Sequence, residues 1–215
     1  MKITKFGQSC LLIEETGAEG VARIILDPGS FSNAQNELKD IDLVLITHDH
    51  RDHLDVESLK KIIANNPSVE IVGTAAVQEL LAKEDIHSEV LTHRNVVTKK
   101  GITIEGVGEK HAILINSMPQ IENVGFIIAD RLFYPGDALT LPERPIEILA
   151  LPAAAPWAKL SEIVDYGVAV NPKVAFPVHD SILANPGMMQ GMMVGVFADR
   201  GITFTPVELN TEYEF

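Results

Sequence analysis

The chain holds a single cysteine, Cys10, so it can form neither an internal disulfide nor a thiolate zinc cluster. Set beside Leu11-Leu12-Ile13, that thiol is expected to be a small buried residue. Basic residues are scarce as well: 17 Lys and Arg stand against 30 Asp and Glu, the formal net charge is −13, and no basic run exceeds two residues. Such a surface repels a long phosphate backbone, which argues against a nucleic-acid partner. No apolar stretch is long enough to span a bilayer, and Met1-Lys2-Ile3-Thr4-Lys5 leads into strand-like sequence rather than a signal peptide, so the expectation is a cytoplasmic chain without a membrane partner. Linkers, repeats and low-complexity segments are also missing. With 46% hydrophobic residues in 215, one domain over 1–215 with a substantial core is expected.

What is present is a dense cluster of metal-binding side chains. Thr47-His48-Asp49-His50-Arg51-Asp52-His53 follows the apolar run Leu43-Val44-Leu45-Ile46. A strand ending in a tight loop delivers side chains at this spacing to one small volume, and imidazole with carboxylate is the ligand set of borderline cations such as zinc. Three further candidates stand at the ends of predicted strands: His111 after Ile102–Val107, Asp137 after Leu132-Phe133-Tyr134-Pro135-Gly136, and His179 after Val174-Ala175-Phe176-Pro177-Val178. His87 and His93 lie in polar stretches and are read as surface residues.

Alternation predicts strands near 2–6, 9–14, 21–26, 42–47, 69–73, 88–91, 96–99 and 102–107, with helices over 55–65 and 75–83. A hairpin from Asn123 to Tyr134 turns at Asp130-Arg131. The second half reads as a strand at 146–151, a helix near 158–170, the strand ending at His179, a helix near 187–200 and a last strand near 202–208. Met188, Met189, Met192 and Met193 form a helical apolar face suited to core packing or to a homo-oligomer contact. Trp157 is either a pocket wall or a packing residue. Polar loops near 31–36 and 115–120 are candidate substrate walls and contain no Lys or Arg. Phosphate recognition would therefore draw on the metals, on backbone donors, or on residues such as Lys110 and Arg144.

The ordered series of Asp27 in Ile24-Ile25-Leu26-Asp27-Pro28-Gly29, the His-x-His-x-Asp-His cluster, His111, Asp137 and His179 resembles the metallo-β-lactamase superfamily over nearly the whole chain. The resemblance implies an α/β fold, the four-layer αββα sandwich. It implies a first metal held by His48, His50 and His111, a second held by Asp52, His53 and His179, Asp137 bridging them, and Asp27 standing behind a ligand imidazole to orient it. Pro177-Val178-His179-Asp180 is similar to the branch containing ascorbate-6-phosphate lactonase. Where that branch often reads Gly-His-Ser-Cys, this chain has Gly7-Gln8-Ser9-Cys10, and a glutamine can donate a hydrogen bond but carries no titrating proton.

The function expected is that of a dinuclear metal-dependent hydrolase, whose metal-bridging hydroxide cleaves a small lactone, ester, thioester or phosphoester, with Asp52 as the catalytic proton carrier. Its cofactors would be two divalent ions, zinc first, with manganese, iron or nickel also accommodated by such ligands. Two alternatives use the same fold. A di-iron oxidoreductase would call for a glutamate where His50 stands and for an attached flavin domain, and a non-catalytic metal-binding protein should lack a ligand.

Overall fold

The computed structural model describes residues 1–215. Period-two alternation sends successive residues of each strand to opposite faces, and here both faces are apolar because each sheet is covered on both sides. The first sheet is built from β1 (Lys2–Gly7), β2 (Cys10–Gly17), β3 (Gly20–Leu26), β4 (Leu43–Leu45), β5 (Glu70–Gly73) and β6 (Glu89–Val90), with β14 (Glu212–Glu214) returning to pair with β1. The second carries β7 (Val96–Lys99), β8 (Ile102–Val107), β9 (Gly125–Ile128), β10 (Leu132–Tyr134), β11 (Ile148–Pro152), β12 (Val174–Val178) and β13 (Thr203–Phe204) in the order β13-β12-β11-β10-β9-β8-β7. Both sheets are mixed. In the first, β3 to β6 run parallel; in the second, β10 to β13 do.

Three apolar cores separate four layers. Between the sheets, Leu11, Ile13, Ile24 and Leu26 meet Phe126, Ile128, Leu132 and Phe176. Their neighbours point the other way: Leu12, Ile25 and Val44 pack under α1 (Val56–Asn65) and α2 (Ala75–Ala82), through Leu59, Ile62, Val77 and Leu81. Beyond the second sheet, Phe133, Leu149 and Ala175 pack under α3 (Leu160–Val170) and α4 (Pro186–Ala198), through Ile163, Val170, Met193 and Phe197. The αββα sandwich expected from the sequence is the fold found.

Helix starts follow local chemistry. The Asp55 carboxylate accepts from Ser58 N to cap α1, and the Thr74 hydroxyl accepts from Val77 N to cap α2. Some expected boundaries differ. The hairpin between β9 and β10 turns at Ala129 and Asp130, both at positive φ, rather than at Asp130-Arg131. The strand expected near 202–208 is confined to Thr203–Phe204, since Pro206 can donate no ladder hydrogen bond. β14 has too little apolar pattern to be foreseen. The methionine face divides: Met193 is buried and Met189 partly so, whereas Met188 and Met192 are exposed. No helix is long and apolar enough to cross a membrane.

Candidate metal centre

The histidine-rich loop leaves β4 and is fixed by Asp27, which ends β3. Asp27 Oδ1 accepts from Thr47 N (2.8 Å), and its Oδ2 accepts from the Thr47 hydroxyl (2.7 Å), from His53 Nδ1 (2.6 Å) and from the Tyr134 hydroxyl (2.8 Å). Asp27 itself sits at φ +42, a left-handed conformation uncommon outside glycine. The adjoining Gly29 is dictated by contact, because a Cβ there would lie 1.9 Å from the Asp52 carbonyl oxygen. The loop then turns tightly, with His53 N and Leu54 N both donating to His50 O.

The second sheet adds one residue from each of three strand ends. His111 follows β8, and Asp137 follows β10 on a turn whose Gly136 lies at φ +64. Asn123 clamps that turn: its Oδ1 accepts from Asp137 N (2.9 Å) and its Nδ2 donates to Pro135 O (3.0 Å). His179 follows β12 at φ +57, with its backbone N donating to Gln8 O at 2.7 Å. Next to it, buried Asp180 pairs with buried Lys5, whose Nζ also donates to Pro177 O at 3.1 Å.

The seven side chains converge. Ligand atoms of His48, His50, His111 and Asp137 lie within 4.8 Å of one another, and those of Asp52, His53 and His179 form a second group as tight. Asp137 touches both groups, with Oδ2 3.3 Å from His111 Nε2 and 3.1 Å from His179 Nε2, and Oδ1 3.1 Å from His53 Nε2.

The proton positions follow from the partners. His53, His111 and His179 each present Nδ1 to an acceptor with no proton of its own: Asp27, Ala112 O and Ala154 O. The Thr47 hydroxyl spends its proton on Asp27, so it accepts from His48 Nδ1 at 3.0 Å. Nδ1 therefore carries the proton in all four rings, and Nε2 faces the centre. His48 Nε2, His111 Nε2, His179 Nε2 and Asp137 Oδ1 are buried with no hydrogen-bond partner. Native structures leave few such atoms unmatched, and imidazole nitrogens converging with carboxylate oxygens are the donor set of a divalent cation.

The charge balance points the same way. Burial, reinforced by neighbouring histidines, holds His48 well below the ordinary imidazole range and lowers His50. Burial also opposes a proton on His53, but Asp137 and Asp27 outweigh it and raise His53 well above that range. For His179 the burial effect is overcome by Asp137 and Asp52, and its pKa reaches about 9. Asp137 is held well below the usual carboxylate range, since His53, His111 and His179 outweigh its desolvation. Asp52 and Asp137 on the open side of these rings, with Asp27 behind His53, thus favour positive charge at the centre.

A cavity of about 270 Å³ opens onto this centre. Asp52 lies at its floor with 22% of its side chain exposed, against 4% for Asp137. Gln8, buried, donates from Nε2 to Asp52 Oδ2 (3.1 Å) and accepts on Oε1 from Ser181 N (3.0 Å). Trp157 is a wall of the cavity, and its Nε1 donates to Asp137 Oδ2 at 3.0 Å. Of the two expected substrate loops, 31–36 supplies Phe31 to the cavity and 115–120 supplies no residue, Leu114 just before it lining the wall instead; Pro156 and Trp157 line it as well. Lys110 lines a different cavity and Arg144 pairs with Asp130 and Glu105, so neither basic candidate is at hand. Arg51, the residue between two site residues, is the basic side chain lining the cavity. His87 is exposed and His93 accepts from Gly108 N, and neither belongs to the two groups.

A family model described as a β-lactamase superfamily domain matches residues 2–179. The Mycobacterium tuberculosis protein Rv0786c is 37% identical over 191 residues, covering 86% of each chain. A UPF0173 metal-dependent hydrolase of Thermoplasma acidophilum is 24% identical over 206 residues, covering 86% of this chain and 88% of its own. Among solved structures, Igni18, a metallo hydrolase from the hyperthermophilic archaeon Ignicoccus hospitalis, superposes with a TM-score of 0.75 at 19% identity, covering 100% of this chain and 98% of its own. That last likeness is one of fold.

Proposed function

The chain belongs to the β-lactamase superfamily and is a metal-dependent hydrolase, and from that premise we propose that it cleaves a small lactone, ester, thioester or phosphoester at a pair of divalent cations. His48, His50 and His111 would hold one cation and Asp52, His53 and His179 the other, with Asp137 within reach of both groups. Zinc suits this nitrogen and oxygen set first, and manganese, iron and nickel fit it as well. When bound, the cations supply an ionised water at neutral pH and draw charge from the attacked oxygen.

The chain's own residues supply the proton handling. Asp52 is the carboxylate open to the cavity, and it lies 3.3 Å from His179 Nε2. Burial would raise its pKa, but His179 and His53 outweigh that and keep it ionised. It takes the proton of the attacking water and returns it to the departing oxygen or sulfur. Gln8 aims this carboxylate through its amide hydrogen bond. Trp157 in turn fixes the Asp137 oxygen shared by the two groups. The small cavity and the charge of −13 favour a compact substrate over a long phosphate backbone.

The observation that carries this reading is the set of bare, buried Nε2 atoms facing one open carboxylate. Its test is Asp52→Asn in the zinc-loaded chain, assayed on lactones, thioesters and phosphodiesters. The amide keeps the shape and cannot take the proton, so turnover falls by about 10²–10⁴ while bound zinc changes far less. Gln8→Ala, which removes only the aiming hydrogen bond, falls by a smaller factor. Wild-type turnover by Asp52→Asn would remove Asp52 from the mechanism.

A further inference from the structure

The walls of the cavity are unlike its floor. Phe31, Leu114 and Ile182 come from three separate loops, line the same cavity, and remain 53%, 40% and 48% exposed. A single exposed apolar residue needs no explanation. Three converging over a polar floor mark a surface that water leaves when a ligand arrives. The surface also continues: a smaller cleft of about 50 Å³ shares His50, His111 and Leu114 with the main cavity and is lined beyond them by Ile113, Ile115 and Met118. Those three side chains are exposed as well. The main cavity is lined by one cation, Arg51, whose guanidinium has no acceptor within the chain.

We propose that the substrate carries an apolar substituent, an alkyl or aryl group next to the bond that is cut, which packs between Phe31, Leu114 and Ile182 while the reactive group faces the metal centre. The proposal rests on the hydrolase reading only in assuming that the bound molecule contains a cleavable bond. Position selects this occupant, because the apolar wall shares its cavity with Asp52, His179 and Trp157. A group seated there lies beside the reacting atoms, whereas a protein partner or a second copy would close the entrance. A polyanion finds one basic side chain on the walls, and a substituent such as butyl or phenyl finds three apolar ones.

The test measures binding separately from turnover. Straight-chain hydroxamic acids, from acetohydroxamic to hexanohydroxamic, are titrated calorimetrically into the zinc-loaded chain. Each added methylene is expected to tighten binding about twofold to fourfold until the cavity is filled. Phe31→Ser/Leu114→Ser, both at exposed positions, should flatten that dependence, and Val96→Ser, on the edge strand β7, should leave it unchanged. A flat series in the wild type, or a slope that survives the double substitution, would overturn the proposal. So would concentration-dependent dimerisation that the double substitution abolishes, because the face would then belong to a second copy. Failure of the hydrolase reading is distinguishable: no alkyl lactone, ester or thioester would turn over although the hydroxamate slope was intact.

Discussion

The first sheet places His48, His50, Asp52 and His53 from one loop of seven residues, whereas the second places His111, Asp137 and His179 from three strand ends. The loop is a local object: its turn is closed by its own backbone and its base is gripped by Asp27. The dispersed half owes its geometry to the register of the five strands from β8 to β12 and to separate clamps, Asn123 on Asp137 and Lys5 with Asp180 beside His179. The two halves therefore differ in how they fail. Damage at the base of the loop misplaces several side chains together, and damage at one strand end misplaces one.

The largest effect should come from Asp27→Ala. It strands Thr47 N, the Thr47 hydroxyl and His53 Nδ1, buried donors to one carboxylate, while the Tyr134 hydroxyl keeps Ser9 O as its acceptor. Removing one side of a buried charged network costs on the order of 3–5 kcal/mol, to be read by denaturant unfolding of the metal-free chain. Metal content should fall for both positions, since Thr47 connects Asp27 to His48 in one group while His53 belongs to the other. Retention of one full equivalent would show that the loop does not act as a unit.

A smaller effect is expected of Asn123→Ala, which frees only the turn presenting Asp137. Loss of its two buried hydrogen bonds should cost about 1–3 kcal/mol, and metal affinity should weaken by about 10–100-fold with the histidine loop in place. If Asn123→Ala destabilised the chain as much as Asp27→Ala, the contrast between a shared base and a single clamp would collapse.

The same contrast explains what could be read in the sequence. The loop is legible as a cluster because its imidazoles and carboxylates are contiguous, and such groups so closely spaced have few other uses. Asp137 and His179 were legible because an apolar strand stops at each. The supports were not. Tyr134 to Asp27 and Lys5 to Asp180 join residues far apart in the chain, and Asn123 has no local pattern that ties it to Asp137. Gln8 was expected to donate into the site, yet its particular partner, Asp52, required the fold. Trp157 could be placed only once β11 and the following loop brought it against Asp137. β14 has no signature in the sequence, because a short edge strand of alternating glutamates offers no apolar face.

The central claim is that the two groups, joined through Asp137, make two cation positions. Its most direct test is elemental analysis of the chain saturated with zinc and freed of excess. Two ions per chain is the result this arrangement predicts, because seven ligands with one shared carboxylate make two sites of about four ligands each. A plateau at one ion per chain would contradict it and leave a single site at His48, His50 and His111.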